Sequence, residues 1–385
     1  MKQKIKYKRP FIGSLVLFLV LGVAISLRAQ TVQARKPNGE ANGDRPESRI
    51  YFPSPGKDWE TIDPAKVGWD SAKLKAALRY AGERNSSGVV VLYQGRIIAE
   101  NYWTPKSSFR YRSTQHGVDV NQRNLEDVAS VQKSVAAVLL GVAVQKQLVQ
   151  LDDPVHLHLK HGWSRASHEQ ESAITLRHLI TMTTGLNDRL EFKLQPGKEW
   201  RYNTNAYSRI VNVLEAASKL KRNELTKLWL TEPVGMVESA WVVRPFAKDD
   251  PKSNRHGFAT SARELAKFGL LIQARGNWDG RQVLSEQNYF REMLRSSQEQ
   301  NPSYGYLWWL NGQSHTIKAG RRKRGPINKF APLDMVSGLG ALGRKVYVIP
   351  SWNLVVTRLG DNPGQDFDAE FWKRLASAAP PTLKR

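Results

Sequence analysis

Leu74, Ala77, Leu78 and Ala81 recur at helical spacing within residues 69–84, so the first periodic segment is a helix with one apolar face. The period then drops to two in residues 88–93 and 96–103, and Gln94-Gly95 between them is a hairpin signal. Residues 135–144 are apolar all round, which predicts a buried helix. Helical patterns return over 173–186, ending at Gly185, and over 205–219 and 261–274. Near the end, 344–349 and 354–359 flank Pro350-Ser351-Trp352-Asn353 as a second hairpin, followed by an amphipathic helix over 367–376.

Hairpins and helices at both ends, with a helical middle, predict an α+β fold. One antiparallel sheet would be covered by terminal helices, with the α-rich lobe inserted between its strands. The boundaries read as an α/β lobe from about 63–115 and 330–380 and a helical lobe of about 116–329, together forming one domain over 63–385. Residues 35–62, rich in Pro, Gly, Asn and charge, read as a linker.

Composition changes the picture at the N-terminus. Lys2, Lys4, Lys6, Lys8 and Arg9 precede an uncharged run over 11–27, so residues 1–34 read as an export signal, removed near Ala29 or Ala34 or kept as an anchor. The expected location is periplasmic or extracellular. With no cysteine among 385 residues, disulfides and a lipidated cysteine are excluded and the core must hold the fold. The net charge of +23 favours contact with an anionic envelope surface, and Arg321-Arg322-Lys323-Arg324 is its densest cluster. No nucleic-acid recognition motif accompanies it, so nucleic acid is not an expected partner.

The candidate chemistry lies where the buried helix begins. In Asp127-Val128-Ala129-Ser130-Val131-Gln132-Lys133-Ser134, Ser130 and Lys133 share a helix face, with Asp127 as expected N-cap. A buried lysine loses its proton more readily, and a neutral amine can activate a serine. Spacing alone also fits a capping serine beside a snorkelling lysine. Ser54 to Lys57 and Ser218 to Lys221 repeat the spacing, but in a Pro/Gly turn and at a polar helix end. Gly-x-Ser-x-Gly is absent, which argues against a hydrolase elbow.

Tyr202 is the candidate proton shuttle. His156, His158 and His161 lack the carboxylates or cysteines that would complete a metal site, so no metal or other cofactor is expected. The aromatics from Tyr304 to Trp309 read as core before pocket. The glycine run from Gly338 to Gly343 marks a place where a substrate backbone approaches closely, as an oxyanion donor requires.

Together these residues resemble the serine β-lactamase and penicillin-binding-protein superfamily. The pattern is nearest to its class C-like branch and to 6-aminohexanoate-dimer-hydrolase-like enzymes. The resemblance rests on 128–134, 178–186, 261–269, 304–309 and 346–350, in that order. It implies Ser130 as acylated nucleophile, Lys133 as base, and Tyr202 as shuttle at the head of Tyr202-Asn203-Thr204, with Tyr207 at a familiar spacing. It further implies Thr204, Asn205, Ser337, Gly338 and Gly340 as substrate-binding or oxyanion residues. The substrate is then a small ester or amide. One departure stands out: Met335-Val336-Ser337-Gly338 carries no cation where the family binds a substrate carboxylate, and Arg344 replaces a glutamine. Two rival readings follow, a catalytically impaired envelope or binding protein and a β-lactamase or D-Ala carboxypeptidase. Oligomeric state is not legible in the sequence.

Overall fold

A computed structural model of the chain describes residues 50–54, 58–106, 108–245, 247, 250 and 252–384. These belong to one compact unit, Ser48–Arg385. The expected export signal and Pro55 to Lys57 of the first Ser-x-x-Lys match lie outside the described residues. Among the described residues, no helix is long and apolar enough to cross a membrane.

Asp70 caps helix α1 (Ser71–Glu83) by accepting from the Lys73 amide at 3.0 Å, and Leu74, Ala77, Leu78 and Ala81 are its buried stripe. Strands β1 (Ser86–Tyr93) and β2 (Arg96–Tyr102) form the predicted hairpin, with φ of +52° at Gln94 and +83° at Gly95. Two left-handed residues suit the twist of such a turn. A Cβ on Gly95 would lie 1.9 Å from the Tyr51 carbonyl oxygen, so glycine is required there. That approach corrects an expectation. Residues 50–54 and 58–62, read as linker, run along the hairpin, with Tyr51 N–H donating to Gln94 O at 3.0 Å and the Trp59 indole to Gly95 O at 2.8 Å.

The middle of the chain is less helical than its pattern predicts. Helix α2 (Phe109–Arg112) is followed by strands β3 (Gln115–Val118) and β4 (Asn124–Asp127), then by helix α3 (Gln132–Gln145). Strands β5 (Ala240–Val243) and β6 (His256–Thr260) join β3 and β4 in a second antiparallel sheet of order β3-β4-β6-β5. Strands this short show little periodicity. The helix expected over 173–186 spans only Leu176–Ile180. Thr181 bonds back to the Arg177 carbonyl at 2.8 Å, and Met182 turns to φ +61°. Gly185 closes a later turn, where a Cβ would meet Leu194 O at 2.0 Å.

A small hairpin, β7 (Asn277–Trp278) and β8 (Arg281–Gln282), precedes β9 (Trp309–Leu310). The basic cluster forms β11 (Arg321–Arg324), exposed throughout and paired with β10 (His315–Lys318). Then come β12 (Val336–Leu339), β13 (Lys345–Ile349), β14 (Leu354–Gly360) and a final helix, Phe367–Ala378. The main sheet has order β2-β1-β14-β13-β12-β9, antiparallel throughout.

Alternation divides this sheet between two cores. Val89, Val91, Leu354 and Val356 pack with Trp69, Leu74, Phe371 and Trp372 under the terminal helices. Val90, Leu92, Val355 and Leu359 face the opposite way, into the core that holds α3 and the Ala262–Gln273 helix. Fully burying each such side chain contributes about 1.5–3 kcal/mol, so both faces anchor the sheet. Its β12 end is thereby held against the start of α3.

Candidate active site

Ser130 lies in a turn of 3-10 helix, Ala129–Val131, that leads into α3. Ala129 holds φ at +51°, a left-handed conformation that costs an alanine on the order of 1 kcal/mol. Asp127 is not the N-cap expected of it. Val128 flanks the turn, and the buried Asp127 carboxylate accepts from Ala129 N–H at 2.8 Å and from Arg244 Nε at 2.7 Å and Nη2 at 3.2 Å. Arg244 Nη2 also donates to Gln132 Oε1 at 3.1 Å. Asp127 thus ties the strained turn to the second sheet and fixes where Ser130 points.

Lys133, one turn on, is 2% exposed. Its Nζ stands 3.0 Å from Ser130 Oγ and 3.4 Å from Thr204 Oγ1, and over the rings of Tyr202 and Tyr207 at 4.7 and 4.3 Å from their centroids. Burial drives its pKa well below the ordinary lysine value; the Arg244 charge adds to this and Asp127 opposes it. The ring faces favour a cation, but desolvation prevails. The amine meets the ring of Tyr202 rather than its hydroxyl and has Ser130 and Thr204 as side-chain partners.

Tyr202 stands beside Ser130. Burial raises its phenol well above the usual value, while the nearby Ser130 hydroxyl and Tyr207 act in opposite directions. It is therefore a protonated donor at neutral pH. Of the other expected residues, Thr204 joins the cluster and Asn205 does not. Asn205 Nδ2 donates to Asp188 O at 2.7 Å and its Oδ1 accepts from Asn254 N–H at 2.9 Å, so its amide is spent on joining two loops.

On β12, Ser337 and Gly338 are buried and do not line a cavity with Ser130, whereas Leu339, Gly340 and Ala341 do. A Cβ on Gly338 would press at 3.0–3.1 Å on Val346, Ser134 Oγ and Val131, so this glycine serves packing against α3. Gly340 N–H donates to Arg344 O at 2.8 Å. Since N–H groups alternate sides along a strand, Gly338 N–H points the same way, toward β13. Leu339 N–H then faces the other edge, which β9 covers only at Val336 and Ser337. Leu339 N–H, which sequence reasoning passed over, is thus the β12 amide at the open edge; its orientation depends on a pairing invisible in the local sequence.

Ser130 opens on two cavities. The larger, about 850 Å³, is walled by Trp200, Tyr202 and Trp309, with Ile317 and Lys318 from β10 at its side. Trp309 stacks on Tyr202 at 6.1 Å and 24°. Of the 304–309 aromatics, Trp309 is thus a wall of the cavity, while Tyr304 and Trp308 are buried in the core. The smaller cavity, about 200 Å³, also touches Lys133 and Thr204. Away from both, the rings of His156, His161 and His168 stack at 4.4 Å, and no described His, Asp or Glu cluster could hold a metal ion.

A family model described as Beta-lactamase matches residues 73–379. An uncharacterized protein of Alkalihalophilus pseudofirmus is 22% identical over 299 residues, covering 71% of this chain and 83% of its own length. The solved structure of a β-lactamase from Mycobacterium bovis has a TM-score of 0.56 at 17% identity, over 78% of this chain and 97% of that one. EstCE1, a hydrolase with promiscuous acyltransferase activity, gives 0.55 at 14% identity, over 80% and 98%.

Proposed function

The chain belongs to the Beta-lactamase family, and from that premise we propose that it is an exported serine hydrolase that cleaves an ester or amide through an acyl-Ser130 intermediate. The observation that carries this reading is the buried Lys133 amine 3.0 Å from Ser130 Oγ. Neutral Lys133 takes the hydroxyl proton as Oγ bonds to the substrate carbonyl carbon. The negative charge that develops on the carbonyl oxygen is met by the Leu339 N–H at the open edge of β12 and by the Ser130 N–H. As the tetrahedral species collapses, the bond to the leaving group breaks, the Tyr202 phenol supplies the leaving group's proton, and the proton held by Lys133 returns to the phenolate, so that the amine is neutral again. Water then adds to the acyl carbon and gives its proton to Lys133, and the C–Oγ bond breaks as Oγ takes that proton, releasing the acid and restoring the serine.

Support for an ester or unstrained amide comes from the large aromatic cavity and from the 335–338 segment at the start of β12, which carries no cation. Export is supported by the basic and apolar segments at the start of the sequence. The test is labelling by a fluorophosphonate together with hydrolysis of 4-nitrophenyl butyrate. We expect one adduct, at Ser130, and a loss of about 10⁴-fold or more in kcat/KM in Ser130→Ala. Full hydrolysis by Ser130→Ala would sink the assignment. A folded wild type that neither turns over nor labels would leave a binding protein in its place.

A further inference from the structure

We infer that a third cavity, which adjoins the large one on the side of the basic hairpin, is a phosphate subsite, so that the preferred substrate is an ester that carries a phosphate group on one of its arms. The inference rests on Ser130 being the nucleophile. This cavity, about 610 Å³, lies between the β10–β11 hairpin, the loop before β12 and the start of the final helix. Lys318, Leu339 and Gly340 line both it and the large cavity, so a substrate arm can run from Ser130 past Gly340 into it. Alternation on the hairpin decides which cations turn toward it. Lys318 pairs with Arg321 and Thr316 with Lys323, so Lys318, Arg321 and Lys323 share one face, while Ile317 and Arg322 take the other. Lys318 and Lys323 line the cavity, joined by Arg324 at the end of β11 and by Lys329 from the loop.

Among the described residues, Lys318, Lys323, Arg324 and Lys329 form no ion pair. Two acids share the lining. Asp368 is already held by the buried Lys345 ammonium and by Tyr347 OH at 2.8 Å, which leaves only the exposed Asp366 against the four cations. Burial would raise the Asp368 carboxyl, but Lys345, Tyr347 and the Lys318 charge hold it below the ordinary value, so it stays ionised and committed to Lys345. Lys318 opposite Arg321 is moreover a like-charge cross-strand pair, which weakens a hairpin of two strands. Cations turned only to solvent are free to spread. These converge from two strands and a loop on one concavity, where an anion relieves their repulsion. A carboxylate would neutralise one of the four, whereas a phosphate monoester brings a charge of about −1.5 to −2 and three acceptor oxygens. Ammonium groups, whose donors rotate, suit a tetrahedral group met from several sides.

The test uses two pairs of esters that differ by the anionic group. 1-Butyrylglycerol 3-phosphate with 1-butyrylglycerol places it on the alcohol arm, and methyl 4-phosphonobutanoate with methyl butanoate on the acyl arm. Affinity is read by calorimetry in Ser130→Ala, where no turnover intervenes. We expect the anionic member of at least one pair to bind about tenfold tighter or more, the wild type to show a similar ratio in kcat/KM, and added salt to reduce both. Lys323→Gln with Lys329→Gln, two exposed side chains, should bring the ratio to within about twofold. Lys75→Gln with Lys227→Gln removes the same charge from exposed positions outside both cavities and should leave the ratio in place. An equal fall in the two double variants would show that net charge alone attracts the anion, and would overturn the subsite. Equal affinity within both pairs, or a preference that survives Lys323→Gln with Lys329→Gln, overturns it too. So does binding to phosphatidylglycerol vesicles that depends on Lys323 and Lys329 with no preference among the soluble esters, since the hairpin would then dock on a lipid surface. Ser130-dependent hydrolysis with no phosphate preference would overturn the subsite alone. Lack of Ser130-dependent turnover would overturn the enzyme reading, and the affinity ratio in Ser130→Ala would still decide the subsite.

Discussion

The two cavities that meet at Ser130 are built on opposite principles. The larger is a broad apolar space whose aromatic walls, Trp200, Tyr202 and Trp309, brace one another by ring contacts. It gains affinity from buried area and tolerates variety in shape. The smaller is a quarter of that size or less and is lined by three arginines and a lysine. Its charges are largely spent within the protein, Arg244 on Asp127 and Arg344 on Glu126, so what it offers a substrate is a small polar space beside the nucleophile. On the proposed reading Lys133 and Tyr202, between them, act on whichever carbonyl is presented. Reaction and recognition are therefore separable, and substitutions should sort into those that affect all substrates and those that affect one side.

The largest such effect is expected at the shared centre. Lys133→Met removes the proposed base and should lower kcat/KM by about 10³-fold for small and bulky esters alike. Activity of the wild type should rise with pH through an apparent value well below the usual lysine range near ~10.4, since the neutral amine is the active form. The same shift has a cost in stability. Folded Lys133 binds its proton less readily than unfolded lysine, so the unfolded state is favoured by protonation and stability rises with pH between the folded and unfolded values. Lys133→Met should accordingly raise the melting temperature near neutral pH, by a margin that shrinks as pH approaches the unfolded lysine value. A variant that loses activity for one ester but not the other would break the division between centre and cavities.

Tyr202→Phe should have a smaller effect, about 10²-fold, and again on both substrate types. Because the phenol is held protonated by burial, its loss removes a donor. Alkyl esters and amides, whose leaving groups need a proton, should suffer more than nitrophenyl esters, which do not. Equal losses across leaving groups would show that Tyr202 serves only as a wall of the large cavity.

Much of the centre could be read from the chain because it is local. Ser130 and Lys133 sit three residues apart, and the apolar run beyond them announces a buried helix. Tyr202 reads as a shuttle candidate from the residues alone, while Thr204 requires the resemblance to a family, since nothing in the intervening positions announces its return to α3. The role of Arg344 was not legible at all: it bonds Glu126 across 218 positions, and in the sequence it was only a replaced glutamine. Asp127 and Asn205 were misread for a related reason. Both have side chains suited to a local role, an N-cap and a site amide, and both are taken up by distant partners, Arg244 and Asn254. Leu339 was passed over because an apolar side chain says nothing of its backbone N–H, whose direction follows from strand pairing.

The smallest effect should fall on the large cavity alone. Trp309 carries no charge and bonds no reacting atom; it walls the cavity and stacks on Tyr202. Trp309→Ala removes apolar area that a bulky acyl or leaving group would cover, so KM for such esters should rise about tenfold. The loss in kcat should be slight, because Tyr202 keeps its contacts with Trp200 and Tyr304. Small esters that leave this wall uncovered should lose less than about twofold. If Trp309→Ala slowed small and bulky esters equally, Trp309 would act by holding Tyr202 in place rather than by covering the substrate.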